Sequence, residues 1–236
     1  MSLEDIADDL AAGLRELSFA PPVAYVYNPL EYARRPYRRY LEMYGQGKRE
    51  VLFIGMNPGP WGMAQTGIPF GAVEPVTGWL GILDKVDKPE RQHPKRPVRG
   101  FDCPRNEVSG LRVWHWARDT FGTPGVFFRR FFIANYCPLL FLAESGRNLT
   151  PDKLRAADRE ALVAPCDRAL RRTVEELQPR RVIGVGVWAE GRARMALHGL
   201  DVEIGRILHP SPASPAANRG WAEAATRQLR EQGIRI

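Results

Sequence analysis

Three polar side chains stand just past apolar runs of strand length. Val51-Leu52-Phe53-Ile54 leads into Gly55-Met56-Asn57-Pro58-Gly59-Pro60-Trp61-Gly62-Met63-Ala64-Gln65-Thr66-Gly67-Ile68-Pro69-Phe70-Gly71. Phe131-Phe132-Ile133-Ala134 leads into Asn135-Tyr136-Cys137-Pro138, and the run Ile204 to Leu208 leads into His209-Pro210-Ser211-Pro212. In open parallel sheets, ligands bind outside the carboxyl ends of the strands. A strand-end Asn by itself reads as a turn or cap residue, and a His before Pro as a loop residue. Together, Asn57, Asn135 and His209 read as a convergent polar set at one sheet edge.

The 17 residues from Gly55 to Gly71 include five glycines. Glycine permits close backbone approach and positive φ. The loop has neither the G-x-G-x-x-G pattern of dinucleotide sites nor the terminal Gly-Lys-Ser/Thr of a P-loop. It is expected to contact its ligand with backbone amides, but not in a standard nucleotide mode. No Asp or Glu lies between Val51 and Val73, so carboxylate base catalysis from this loop is excluded. There is no G-x-S-x-G elbow and no H-E-x-x-H. The four His residues, at 93, 115, 198 and 209, show no metal-ligand spacing. Neither a metal nor a cofactor is expected.

The elements that must position these residues are legible from periodicity. Leu3, Ile6, Leu10, Leu14 and Leu17 have helical spacing, predicting an amphipathic helix that ends near Ser18. Pro21-Pro22 breaks the chain, Val23 to Tyr27 reads as extended, and Pro36 to Tyr44 as a helix stopped by Gly45. Val182-Ile183-Gly184-Val185 is a fourth apolar run. Helical stretches fall at roughly 109–120, 158–177, 188–197 and 217–232. Apolar strands alternating with helices imply an open, mostly parallel sheet with helices on both faces. No repeat or linker divides the chain, so residues 1–236 are expected to form one domain. Residues 88–105 hold four prolines and six bases and read as a long basic loop.

Composition narrows the class. The 236 residues are 44% apolar and 26% charged, enough for a sizeable core. No apolar run approaches the ~18 residues of a membrane span, and the acidic N-terminus resembles neither a signal nor a transit peptide. Asn148-Leu149-Thr150 fits a glycosylation sequon, read here as coincidence. Cys103, Cys137 and Cys166 are odd in number and widely spaced, which suits reduced thiols and not a disulfide framework or a cluster. The net charge of +7 hides an asymmetry: residues 1–31 carry six acids and one Arg, the remainder 33 bases and 21 acids. Arg supplies 29 of the 34 bases, and its planar fork suits phosphate. A basic body points to a polyanionic partner, nucleic acid first.

The run from Gly55 to Gly71, with His-Pro-Ser-Pro downstream, closely resembles the single-strand-selective monofunctional uracil-DNA glycosylase family. The resemblance extends through Tyr27-Asn28-Pro29, His93-Pro94-Lys95-Arg96-Pro97-Val98, Glu107-Val108-Ser109-Gly110, Asn135 to Phe141, Gly146 to Thr150 and Asn218-Arg219-Gly220-Trp221. It implies a three-layer α/β/α sandwich on a short, mostly parallel sheet. The expected partner is single- or double-stranded DNA containing damaged bases, with no membrane, and the chain is expected to be a monomer. The implied reaction is hydrolysis of the N-glycosidic bond of uracil, and of 5-hydroxymethyluracil or related oxidised pyrimidines, with water as nucleophile.

By the same resemblance, His209 faces the pyrimidine O2 as negative charge grows and Asn57 positions the attacking water. Asn135 reads the N3–H and O4 edge, and Phe70 stacks on the flipped ring. Gly59, small where the major uracil glycosylases carry a bulky aromatic, leaves room at C5, lined by amides near Met63. Pro210, Ser211 and Pro212 pinch the DNA backbone, and the residues up to Arg219 form a wedge. Vertebrate members carry Arg after Pro-Ser-Pro where this chain has Ala213, which implies weaker flipping in duplex DNA. The sequence is also compatible with two other readings: a same-superfamily enzyme for mismatched or deaminated purine bases, and a non-catalytic basic DNA-binding module.

Overall fold

The computed structural model describes residues 2–236; Met1 lies outside them. The elements in chain order are α1 (Leu3–Arg15), β1 (Tyr25–Tyr27), α2 (Pro29–Tyr32), α3 (Arg34–Tyr44), β2 (Val51–Gly55), α4 (Met63–Thr66), α5 (Val73–Gly78), α6 (Val108–Phe121), α7 (Pro124–Phe128) and β3 (Phe131–Asn135). They continue with β4 (Leu140–Leu142), β5 (Asn148–Leu149), α8 (Ala156–Leu177), β6 (Arg181–Val185), α9 (Val187–Ala196), β7 (Glu203–Ile207), α10 (Pro215–Asn218) and α11 (Trp221–Glu231).

The four apolar runs become β2, β3, β6 and β7, and they pair in parallel in the order β3-β2-β6-β7. Every residue of β2 is buried, as a strand covered on both faces requires. Alternate side chains point to opposite layers. Phe53 meets Trp116 of α6, and Phe131 meets Phe127 of α7. On the other face, Phe132 packs against Tyr40 of α3, whose hydroxyl donates to the Ile133 carbonyl at 2.9 Å. Helices α1 and α8 lie together on that side. The result is a sheet between two helical layers.

Strand order reverses at β2, with β3 on one side and β6 on the other. Such a switch point opens a crevice at the strand exits. The register aligns those exits. Gly55 pairs with Asn135, and Val185 with Ile207. Backbone bonds continue past the strands, from Tyr136 N–H to the Gly55 carbonyl and from Cys137 N–H to the Met56 carbonyl, both at 2.9 Å.

Three features depart from the sequence reading. A second sheet, antiparallel in the order β1-β4-β5, was not expected, because β4 and β5 are only three and two residues long. The stretch 217–232 splits into α10 and α11 at Gly220, which adopts φ 122. The basic loop is packed rather than solvated at several points: His93, Val98, Gly100 and Cys103 are buried. His93 is held by the Glu144 carbonyl at 2.9 Å and by Lys95 N–H at 3.0 Å, as a structural histidine would be. The acidic N-terminal segment also has a local explanation. Arg38 pairs with Glu4 at 2.6 Å and Asp8 at 3.0 Å, and Arg172 pairs with Asp9 at 2.8 Å, so much of that negative charge is matched inside the fold.

Candidate active site

A cavity of about 330 Å³ opens at the exits of β2, β3 and β7. That volume lies at the small end for ligand pockets and suits a single ring. Asn57, Asn135, His209, Gly59, Met63, Phe70 and Ser211 all line it. The sequence-predicted core of the site therefore converges. Pro212, Ala213 and Arg219 do not line the cavity and are exposed, while Pro210 is buried beside it.

Asn57 and His209 each have one end fixed by the protein. Asn57 Nδ2 donates to the carbonyls of Leu139 at 3.1 Å and Pro58 at 3.3 Å. Its Oδ1 is left to accept from a water or ligand. His209 Nδ1 accepts from Ser211 N–H at 3.1 Å, which places the ring proton on Nε2. Burial holds the His209 pKa below its ordinary value, so the neutral imidazole with a donating Nε2–H is the form near neutral pH. Asn135 Nδ2 points at Met63 Sδ at 3.2 Å, a weak acceptor that a carbonyl oxygen outcompetes.

The glycine-rich loop is pinned around these groups. Trp114 of α6 donates its Nε1–H to the Pro69 carbonyl at 3.1 Å, and Thr66 Oγ1 donates to the Gly71 carbonyl at 2.7 Å. Between them Phe70 is held at φ 56, a costly conformation for a bulky residue that persists where surroundings enforce it. Its ring lies against Gly55, where an added Cβ would come within 2.8 Å of Phe70 and overlap Asn135 Oδ1. Gly110 plays the same part in α6, since a Cβ there would overlap the Phe70 carbonyl. Gln65 joins this loop to the basic loop, donating to the Pro60 and Pro97 carbonyls and accepting from Arg99 N–H at 2.8 Å.

The structure adds residues that sequence reasoning did not assign to the site. Glu107, Ser109, Asn148 and Thr150 also line the cavity. Asn148 and Thr150 belong to the stretch read as a chance sequon. Glu107 precedes α6 and does not cap it. Its side chain turns instead onto Gly59 and Gly62, and a Cβ on Gly59 would overlap the carboxylate. The expected open room beside Gly59 is therefore a Glu107 carboxyl. The absence of acids from Val51 to Val73 is real, but an acid arrives from another element.

Burial pushes the Glu107 carboxyl up to about 7, against the opposing pull of the Trp61 and Gly62 N–H groups. Its Oε2 is buried and has no hydrogen-bond partner. Arg112, one turn into α6, clamps the loop after β7 through the carbonyls of Pro210 at 3.0 Å and Ser211 at 3.3 Å and through Asn218 Oδ1 at 2.8 Å. Arg96 and Arg105 stack over Trp61, with guanidinium-to-ring distances of 5.2 and 4.7 Å. Among the described residues, no group of three His, Cys, Asp or Glu is placed to hold a metal ion.

Comparison with known proteins gives consistent matches. Residues 42–230 match the uracil DNA glycosylase superfamily. The chain is 56% identical over 227 residues to the single-strand selective monofunctional uracil-DNA glycosylase of Rattus norvegicus, covering 95% of this chain and 82% of that one. The Mus musculus protein of that name is 55% identical over the same share of this chain and 81% of its own. The Bos taurus protein is 54% identical, covering 94% and 82%. The crystal structure of wild-type Pedobacter heparinus SMUG2 superposes with a TM-score of 0.68 over 97% of both chains at 18% identity, a likeness of fold.

The raised Glu107 carboxyl makes a stability prediction. Between the ordinary carboxyl value of 4.5 and about 7, the folded chain keeps a proton that the unfolded chain has lost. Stability therefore falls as pH rises through that window, and above it the full penalty of a buried charge remains. Glu107→Gln should leave the melting temperature nearly unchanged at acidic pH and raise stability by up to ~3 kcal/mol at alkaline pH. Thermal melts across the window check this; parallel wild-type and variant curves would contradict it.

Proposed function

The chain belongs to the uracil-DNA glycosylase superfamily, and from that premise we propose that its cavity hydrolyses the bond between uracil and deoxyribose in DNA, with water as nucleophile. The observation that carries this reading is the pairing of Asn57 and His209. Each has one end tied to backbone, so that a carboxamide oxygen and an imidazole N–H are the groups left for a ligand.

The base must leave the stack to be reached. The cavity at the strand exits accepts one ring, with Phe70 as a face on which it stacks; such stacking is worth roughly 1–3 kcal/mol per base. Asn135 presents a donor and an acceptor to the N3–H and O4 edge. Cytosine offers the opposite pattern there and is disfavoured, because a buried amide would lose its partners.

Cleavage puts negative charge on the leaving pyrimidine. A neutral His209 with its proton on Nε2 is a preorganised donor to the pyrimidine O2, and it needs no rearrangement as charge develops. Asn57 Oδ1 holds the water. An amide is a poor base, but an oxocarbenium-like sugar needs only a weak nucleophile. The base departs as an anion with the electron pair of the broken bond, the water gives its oxygen to C1′ and releases a proton to solvent, and the anion takes up a proton to become uracil. The products are uracil and an abasic site. Guanidiniums at the mouth of the loop, Arg96 and Arg105, suit the flanking phosphates, and that contact makes binding salt-sensitive.

The segment after His209 supports entry into DNA. Arg112 fixes Pro210 and Ser211, and exposed Pro212 and Ala213 lie at its tip. Alanine at the tip is a short wedge, so base flipping from duplex is weaker than it would be with an arginine there.

Three outcomes follow for single-turnover base release from a uracil oligonucleotide. Asn57→Ala and His209→Ala should each slow the step by about 100-fold or more while DNA binding is kept. Asn135→Asp should weaken the preference for uracil, because a carboxylate has no donor for O4. Ala213→Arg should raise release from duplex and leave single-strand release nearly constant. An unchanged rate in Asn57→Ala would remove the assignment of the water site.

A further inference from the structure

The Glu107 carboxyl belongs to no part of the mechanism above, yet it forms a wall of the same cavity. It occupies the space beside Gly59 that any larger residue there would fill. Its Oε2 is buried without a partner, a costly condition that a ligand can relieve. Asn135 and Met63 stand next to each other in the same cavity, and Gly59 lies with Glu107. With Asn135 on the N3–O4 edge, the ring position that follows O4 is C5, and the cavity wall formed by Gly59 and Glu107 is assigned to it.

Resting on the base orientation given under Proposed function, we propose that Glu107 is the specificity-determining residue for the C5 edge of the flipped pyrimidine. It favours rings whose C5 substituent can hydrogen-bond and disfavours those whose substituent cannot. A methyl group at C5, as in thymine, covers the carboxyl and leaves its oxygen unpaired in a dry wall. That penalty rejects a normal DNA base by chemistry and not by bulk. Uracil, with only hydrogen at C5, leaves the carboxyl space for a water. A hydroxymethyl group donates its O–H to the carboxylate. A formyl group has only an acceptor, so it suits the protonated carboxyl.

The carboxyl titrates near neutrality, so the preferred substituent changes with pH. The charged and titratable groups around it are few. His209 lines the same cavity, and Arg112 on α6 is engaged with the loop after β7. Arg96 and Arg105 lie on the Trp61 ring. Among the described residues, none of these bonds the Glu107 carboxyl. His209 acts on O2 for every pyrimidine, so its titration cancels when two substrates are compared.

The test is single-turnover base release by the full chain from oligonucleotides carrying one uracil, 5-hydroxymethyluracil, 5-formyluracil or thymine. Wild type, Glu107→Gln and Glu107→Leu are compared at about pH 6 and about pH 8, either side of the carboxyl's titration. For wild type, the hydroxymethyl-to-formyl rate ratio should rise about tenfold across that range, since a hydrogen bond to a charged group is of this size. In Glu107→Gln, which cannot titrate but keeps a polar end, the ratio should lose this rise and change only by what ionisation of the bases themselves contributes. In Glu107→Leu, the hydroxymethyl-to-uracil ratio should fall about tenfold and thymine should gain on uracil. All substrates slowing in step in both variants, or a wild-type ratio indifferent to pH, would overturn the assignment. Wild type that releases uracil with unmoved ratios refutes only the role of Glu107. Wild type that releases no uracil refutes the glycosylase reading on which it rests.

Discussion

The in-register pairing of Gly55 with Asn135 is the contact on which the site depends. It sets the exits of β2 and β3 level and puts a carboxamide beside a residue with no side chain. The ring of Phe70 fits into that absence. One Cβ at position 55 would drive apart the stacking face and the edge-reading amide. The neighbouring pair of Val185 with Ile207 brings the third exit, and with it His209, to the same edge. The helical layers hold this register by burying every residue of β2.

The chemistry is set by what the fold leaves unsatisfied. Asn57 and His209 are each anchored through one end, so the other end is aimed. Burial keeps His209 neutral and Glu107 near its titration point. A neutral donor avoids the cost of a buried cation in a cavity of low dielectric. The strain in Phe70 and the orphaned Glu107 oxygen are local violations of good packing, and both sit in the cavity. Such departures concentrate at functional sites, where the rest of the fold over-determines them.

Much of this was legible in the chain. The buried strands β2, β3 and β6 are legible as apolar runs, the edge strand β7 more faintly because Arg206 interrupts it, and the three exit residues follow from the rule for parallel sheets. Short strands such as Asn148–Leu149 were invisible because two residues carry no periodicity. Glu107 was hidden for a different reason. It lies roughly fifty positions from the loop it touches, and only the close approach of α6 through Gly110 brings it there. In the sequence its stretch, Glu107-Val108-Ser109-Gly110, carries a family resemblance but points to no role. The charge asymmetry was read as a sign of partners, while Glu4, Asp8 and Asp9 are paired with Arg38 and Arg172 of this same chain.

The central claim is that a pyrimidine is released by water and not by a protein nucleophile. The most direct measurement incubates the purified chain with a uracil-bearing oligonucleotide, identifies the released base by mass, and adds borohydride to trap any covalent adduct. Free uracil, an alkali-labile abasic site and no trapped complex are the expected result. An intact oligonucleotide, or a protein–DNA adduct fixed by borohydride, would contradict it.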